Sequence, residues 1–116
     1  MATLDQITGI IDFELADLEA AWSNSPILLN KNEIEFRLCY ICKFHIERKN
    51  FAGINQNDSF AWTIDLINAK KPKLEFTNFI AVHQSCIENR QSLDSRKQLK
   101  YVKAMKWEFD ESFWNK

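Results

Sequence analysis

Glycine and proline are scarce in this chain, with two of each among 116 residues. That composition excludes collagen-like and Gly/Pro-rich low-complexity architectures, and so little Gly leaves no material for a phosphate-cradling loop. No G-x-S-x-G elbow and no H-E-x-x-H pair occurs, so the common hydrolase arrangements have nothing to build on. No apolar run approaches the ~20 residues that a membrane helix needs. The opening Met-Ala-Thr-Leu-Asp has no basic stretch leading into an apolar one. It therefore predicts no secretory leader, and a cytoplasmic location. Cysteine is also sparse, at three residues. An odd number in a reducing compartment predicts no structural disulfide.

What remains is ordinary globular material: 46% apolar and 13% aromatic residues. A chain of this length predicts one domain, 1–116, able to bury a core without staples. The net charge of −1 hides an asymmetry. Residues 1–36 carry seven acids and one Lys, net −6, whereas residues 37–106 carry thirteen bases and six acids, net +7. The final segment, 107–116, carries three acids and one Lys, net −2.

Residues 4–22 read as an amphipathic helix, with Leu4, Ile7, Ile11, Leu15, Leu18 and Trp22 on one face. Asp5, Asp12 and Glu19 recur every seven residues as an acidic stripe, backed by Asp17 and Glu14. Ser23-Asn24-Ser25-Pro26 ends the helix, because Pro cannot continue its ladder. Residues 60–68 alternate as a strand, 69–73 turn, and 74–82 alternate again with a break at Asn78-Phe79. A polar connection, 50–59, precedes them, with a short edge strand at 51–54. Residues 86–107 read as helical. Ser95-Arg96-Lys97-Gln98 has the form of a capping box, so a helix is expected to start at Ser95. Arg96, Lys100 and Lys103 form a basic stripe on it. The aromatic and acidic segment 107–114 reads as a final strand or extended piece. The resulting fold class is α+β: an antiparallel meander of three to five strands with an N-terminal and a C-terminal helix packed on it.

Residues 34–46 carry two readings that exclude each other. Every even position from Ile34 to Ile46 is apolar, aromatic or Cys, the period-2 signature of one long strand. This reading leads, and it predicts burial of Phe36, Leu38, Tyr40, Cys42 and Phe44 in a metal-free protein. The same stretch holds Cys39-x-x-Cys42, and His83-x-x-Cys86 lies downstream. Together these four residues spell a zinc site. On a continuous strand, i and i+3 point to opposite faces about 10 Å apart. Two zinc-bound sulfurs must lie within about 4 Å. His45 offers a competing ligand through Cys42-x-x-His45.

The order of a Cys-x-x-Cys pair, a hairpin and a helix with the last two ligands resembles treble-clef fingers. At pattern level the chain also resembles fingers of the poly-ADP-ribose-polymerase type, through Cys39-x-x-Cys42, Ile46 and His83-x-x-Cys86. The intervening segment 43–82 is long for that family, whose members grip DNA ends.

Two functional expectations follow. The leading one is a non-catalytic, stand-alone protein of the inhibitor or immunity type. It would neutralise a basic toxin or nuclease through Asp5, Asp12, Asp17 and Glu19, since opposite charge steers encounter. The other is a zinc-stabilised treble-clef module using Cys39, Cys42, His83 and Cys86. It would bind nucleic acid through Arg96, Lys100 and Lys103, with Lys70, Lys71 and Lys73 nearby. Neither reading makes the chain an enzyme.

Overall fold

A computed structural model describes residues 3–4, 11–52, 58 and 60–108 of the chain. It is a small α+β structure built on separate antiparallel strand pairs. The elements run β1 (Thr3–Leu4), β2 (Ile11–Asp12), α1 (Leu15–Asn24), β3 (Phe36–Leu38), β4 (His45–Glu47), β5 (Trp62–Leu66), β6 (Phe79–His83) and α2 (Arg96–Ala104). Strands pair as β1 with β2, β3 with β4 and β5 with β6, all antiparallel. The expected single meander of three to five strands is therefore not formed among the described residues.

The long strand over 34–46 is replaced by a hairpin. Phe36 faces Glu47, Arg37 faces Ile46 and Leu38 faces His45. Two backbone bonds close the link between the arms. Cys39 N–H donates to Phe44 O at 2.9 Å, and Lys43 N–H donates to Cys39 O at 2.8 Å. Lys43 sits at φ 61°, a left-handed conformation that costs a side-chain-bearing residue roughly 1–2 kcal/mol. That residue turns the chain back. The expected burial changes accordingly: Leu38 and Tyr40 are buried, Phe36 and Phe44 half-buried, and Cys42 exposed.

The N-terminal helix starts later than its periodicity predicts. Asp17 Oδ2 accepts the Glu14 N–H at 2.8 Å, a reciprocal cap that sets the first turn at Leu15. Ile11 and Asp12 lie in β2, paired with Leu4 and Thr3. Leu15 is exposed, so the expected apolar face does not continue through it. The helix ends where Ser25-Pro26 predicts. There the buried Ser25 hydroxyl bonds Ala21 O, Ala81 O and Ala81 N–H. It thereby ties the end of α1 to the outer edge of β6.

The strand read over 60–68 holds in β5, whose burial alternates from Trp62 to Leu66. The strand read over 74–82 is shorter and later. A turn of 3₁₀ helix occupies Phe76–Asn78, and β6 follows with all five residues buried. Asn78 explains the break, since its buried amide accepts Asn68 N–H and donates to Asn68 O and Lys73 O. The suggested edge strand at 51–54 reduces to one bridge between Phe51 and Trp62, and residues 53–57 lie outside the described residues. The extended segment expected over 107–114 is described only at residues 107 and 108.

The core lies between α1 and the β5–β6 pair. Trp22 and Trp62 meet at 5.3 Å between ring centroids, and Phe51 adds a third ring 4.9 Å from Trp62. Both indole N–H groups are satisfied, Trp22 by Glu33 O and Trp62 by Arg48 O. These bonds also fasten both ends of the β3–β4 hairpin to the core.

Beyond β6 the expected 86–107 helix divides. A 3₁₀ helix spans Gln84–Asn89, and α2 begins after Ser95 as the capping signal predicts. The link between them is clamped by Arg90, which pairs with Asp65 at 2.9 Å and donates to Leu66 O, Ile67 O, Leu93 O and Ser95 Oγ. Ser95 Oγ serves this clamp. No helix among the described residues is long and apolar enough to cross a membrane.

Candidate metal centre

Chain reversal at Lys43 is what makes a metal centre geometrically available. It folds Cys42 back beside Cys39 at the tip of the β3–β4 hairpin. His83, the last residue of β6, and Cys86, in the first turn after it, approach from the opposite side. The ligand atoms of Cys39, Cys42, His83 and Cys86 all lie within 4.8 Å of one another. A tetrahedral zinc with bonds near 2.3 Å to sulfur and 2.0–2.1 Å to nitrogen places its ligand atoms about 3.5–3.8 Å apart. Two of the separations bracket that value. Cys42 Sγ is 3.3 Å and Cys86 Sγ 3.9 Å from His83 Nδ1.

The histidine tautomer follows from its other nitrogen. His83 Nε2 lies 2.8 Å from His45 O, and a carbonyl can only accept, so Nε2 carries the proton. Nδ1 is then a lone pair aimed at the three sulfurs. A ring N–H given to a backbone carbonyl is the usual support for a metal-bound imidazole, because it fixes both tautomer and ring plane. His45, read as a competing ligand, takes a different part: its main chain orients His83. Its own imidazole is buried, and burial foremost, with the nearby His83 and Lys31 adding, lowers its pKa to about 4. It stays neutral at neutral pH. Phe44 and Phe60 lie against the cluster, at 6.2 Å and 5.6 Å from the His83 ring. They screen one side of it from water.

Electrostatics without a cation are unfavourable to three thiolates. Hydrogen bonds from Cys42 and then Cys86 hold the Cys39 thiol far below its ordinary range. The same proximity to Cys39, together with burial, pushes Cys42 and Cys86 up. The cluster by itself stabilises one negative charge and resists the second and third. A divalent cation removes that resistance, since each thiolate then meets positive charge. The fit is therefore chemical as well as geometric. Three sulfurs and one imidazole nitrogen form a donor set suited to zinc.

No family model, curated protein or solved structure matches this chain.

The other candidate residues are dispersed. Asp17 is buried at the start of α1. Glu19 is exposed on the same helix and pairs with Arg48. Asp12 lies in β2 and Asp5 outside the described residues, so no helical stripe joins Asp5, Asp12 and Glu19. On α2, Arg96 is held by Asp94 through two bonds of 2.8 and 3.0 Å. Lys100 is exposed, and Lys103 lines a separate groove with Arg37. Lys71 and Lys73 share a hollow with Arg96. Of three aromatic rings on or beside the β5–β6 pair, Trp62 and Phe79 are buried and Phe76 is exposed.

Proposed function

We propose that this chain is a zinc-stabilised, non-catalytic binding module of treble-clef type, with Cys39, Cys42, His83 and Cys86 holding a structural ion. The observation that carries this reading is the orientation of His83. Its Nε2–H is given to His45 O, which leaves Nδ1 facing Cys42 and Cys86. A buried histidine serving only as packing has no need of three sulfurs around its lone pair. The order of parts also agrees: hairpin knuckle, second hairpin, then a short helix with the last ligand. Four protein ligands fill a tetrahedral zinc, so no position remains for a substrate or an activated water. The ion's work is then to hold the knuckle against β6 and so to present the surface around it. A neutralising role through an acidic face draws less support, because Asp17 is buried and Asp12 is not on α1.

The test is elemental analysis of protein purified without added metal, followed by cobalt substitution. One zinc per chain is expected, as are cobalt bands of tetrahedral thiolate coordination that disappear in Cys42→Ser and His83→Ala. Protein that carries no zinc and gains no such bands with cobalt would overturn the reading. His45→Gln should retain the ion, since only the His45 carbonyl is used.

A further inference from the structure

We infer that the groove between the metal knuckle and α2 binds a single strand of nucleic acid, with Tyr101 stacking on a base and Lys43 and Lys97 meeting the backbone phosphates. The groove is open and has a volume of about 610 Å³. That is within the range of clefts that hold small ligands. Its walls come from two parts of the fold. Lys97, Tyr101 and Met105 recur at i, i+4 and i+8 and so lie along one side of α2 and its cap. Lys43, the residue that reverses the knuckle, lines the groove from the hairpin with its ammonium 3.3 Å from Ile41 O, and Trp107 lines it as well. The Trp107 indole is fixed, because its N–H donates to Val102 O at 2.9 Å.

Three features of this groove select the occupant. Tyr101 is 75% exposed and Met105 54% exposed, an unusual outlay of apolar surface on a helix that could have shown charge there. A flat ring offered to solvent beside cations suits base stacking, which tolerates any base because each has a π face. The charge is complementary to a phosphate chain. Lys43 and Lys97 line the groove, and its one carboxylate, Asp94, is already engaged by Arg96. Gln98 adds an amide able to pair with a base edge. The cationic stripe read from sequence, Arg96, Lys100 and Lys103, is offset from this wall around the helix. The groove uses a different set.

This inference rests on the zinc reading through Lys43 alone, since the knuckle that carries Lys43 is held by the ion. The experiment uses the full chain with its zinc content measured on the same preparation. Fluorescein-labelled single-stranded oligo-dT and oligo-rU, and a duplex of equal length, are titrated by anisotropy at several salt concentrations, with poly-L-glutamate as competitor. Both single strands are expected to bind ahead of the duplex. Tyr101→Ala should weaken binding about 5- to 10-fold, the lower part of the range for losing one base stack, and Tyr101→Phe should restore it. Lys43→Ala with Lys97→Ala should lower the slope of log affinity against log salt by about 1.4, at ~0.7 per phosphate on a single strand. Unchanged melting temperatures establish that these exposed-site variants remain folded. A zinc-loaded chain that binds neither strand overturns this inference and leaves the zinc reading standing. A chain without zinc overturns the zinc reading instead. Duplex preference, indifference to Tyr101→Ala, or equal competition by poly-L-glutamate would each overturn the single-strand assignment.

Discussion

Removing the proposed zinc should unfold a large part of this chain, and the size of the effect can be worked from where its four candidate ligands sit. Cys39 and His83 are almost wholly buried, and the cluster joins the β3–β4 hairpin to the end of β6. Few other described bonds join the knuckle tip itself to β6. One is His83 to His45 O, and that bond depends on the ring staying in place. A ligand that binds only the folded state at 1,000 times its dissociation constant stabilises by about 4 kcal/mol. A domain of this size typically holds only 5–15 kcal/mol in total, so the proposed ion would be a large share. Each kcal/mol shifts the melting temperature of a chain between 100 and 150 residues by roughly 3–5 °C. A strong chelator should therefore lower it by about 12–20 °C. Far-ultraviolet circular dichroism with temperature, in chelator and then with zinc added back, reads this directly. Magnesium should fail to restore what zinc restores, because thiolates do not suit a hard cation. A melting temperature unmoved by chelator, in protein shown to have lost its zinc, would refute the reasoning. The hairpin would then stand on its own contacts.

Three further outcomes follow from single side chains. Ser25→Ala should cost about 2–6 kcal/mol by denaturant titration, because it strips the hydrogen bonds of the buried Ala81 N–H and C=O at about 1–3 kcal/mol each; Ser23→Ala, on the exposed face, should stay within ~0.5 kcal/mol. Lys43→Gly should be neutral or stabilise by up to ~1 kcal/mol, since Gly relieves the left-handed φ of 61° at some cost in chain entropy; a clear loss of stability would put Lys43 back in a strand. Acid should weaken the fold in a way traceable to His45, whose folded pKa of about 4 lies below its ordinary value because of burial. The unfolded chain takes up that proton below pH ~6.5 while the folded one refuses it, so stability is lost as pH falls from there toward 4. Melting curves of His45→Gln should be flatter than wild type over that window, and parallel curves would remove His45 from the account.

The residues that mislead and those that inform are the same thirteen. Alternation over 34–46 predicts a strand because each arm of the real hairpin alternates, and because Tyr40 and Phe44 happen to continue the count across the knuckle. The register shows why the count is an accident. Paired positions sum to an odd number, as in Leu38 with His45 and Arg37 with Ile46. Residues of opposite parity therefore share a face, and Leu38 and Ile46, both even, point to opposite sides. Both are nonetheless buried, because the hairpin is covered on both faces, Leu38 and His45 on one and Ile46 on the other. Periodicity cannot distinguish that arrangement from a one-faced strand, since it reads parity along the chain and not across the turn.

The countersignal was present in the ligand arithmetic. Every Cys in the chain falls within the two pairs, and one of only two His completes them. Buried Cys used merely as small hydrophobes would have no reason to keep that spacing. What no local pattern supplies is the left-handed turn at Lys43, where Gly would have announced the bend. A non-Gly residue holds that conformation only when its surroundings enforce it. Here two backbone bonds from Cys39 and the convergence of four ligands provide the enforcement. The same constraint explains why a lysine can stand there at all. Its side chain lines the groove beside α2 together with Tyr101 and Lys97, and its ammonium donates to Ile41 O at 3.3 Å. A glycine would ease the turn and remove that charge. Lys43→Gly should accordingly improve stability, or leave it unchanged, while weakening the single strand's hold. Stability and affinity moving together would break the link between knuckle and groove.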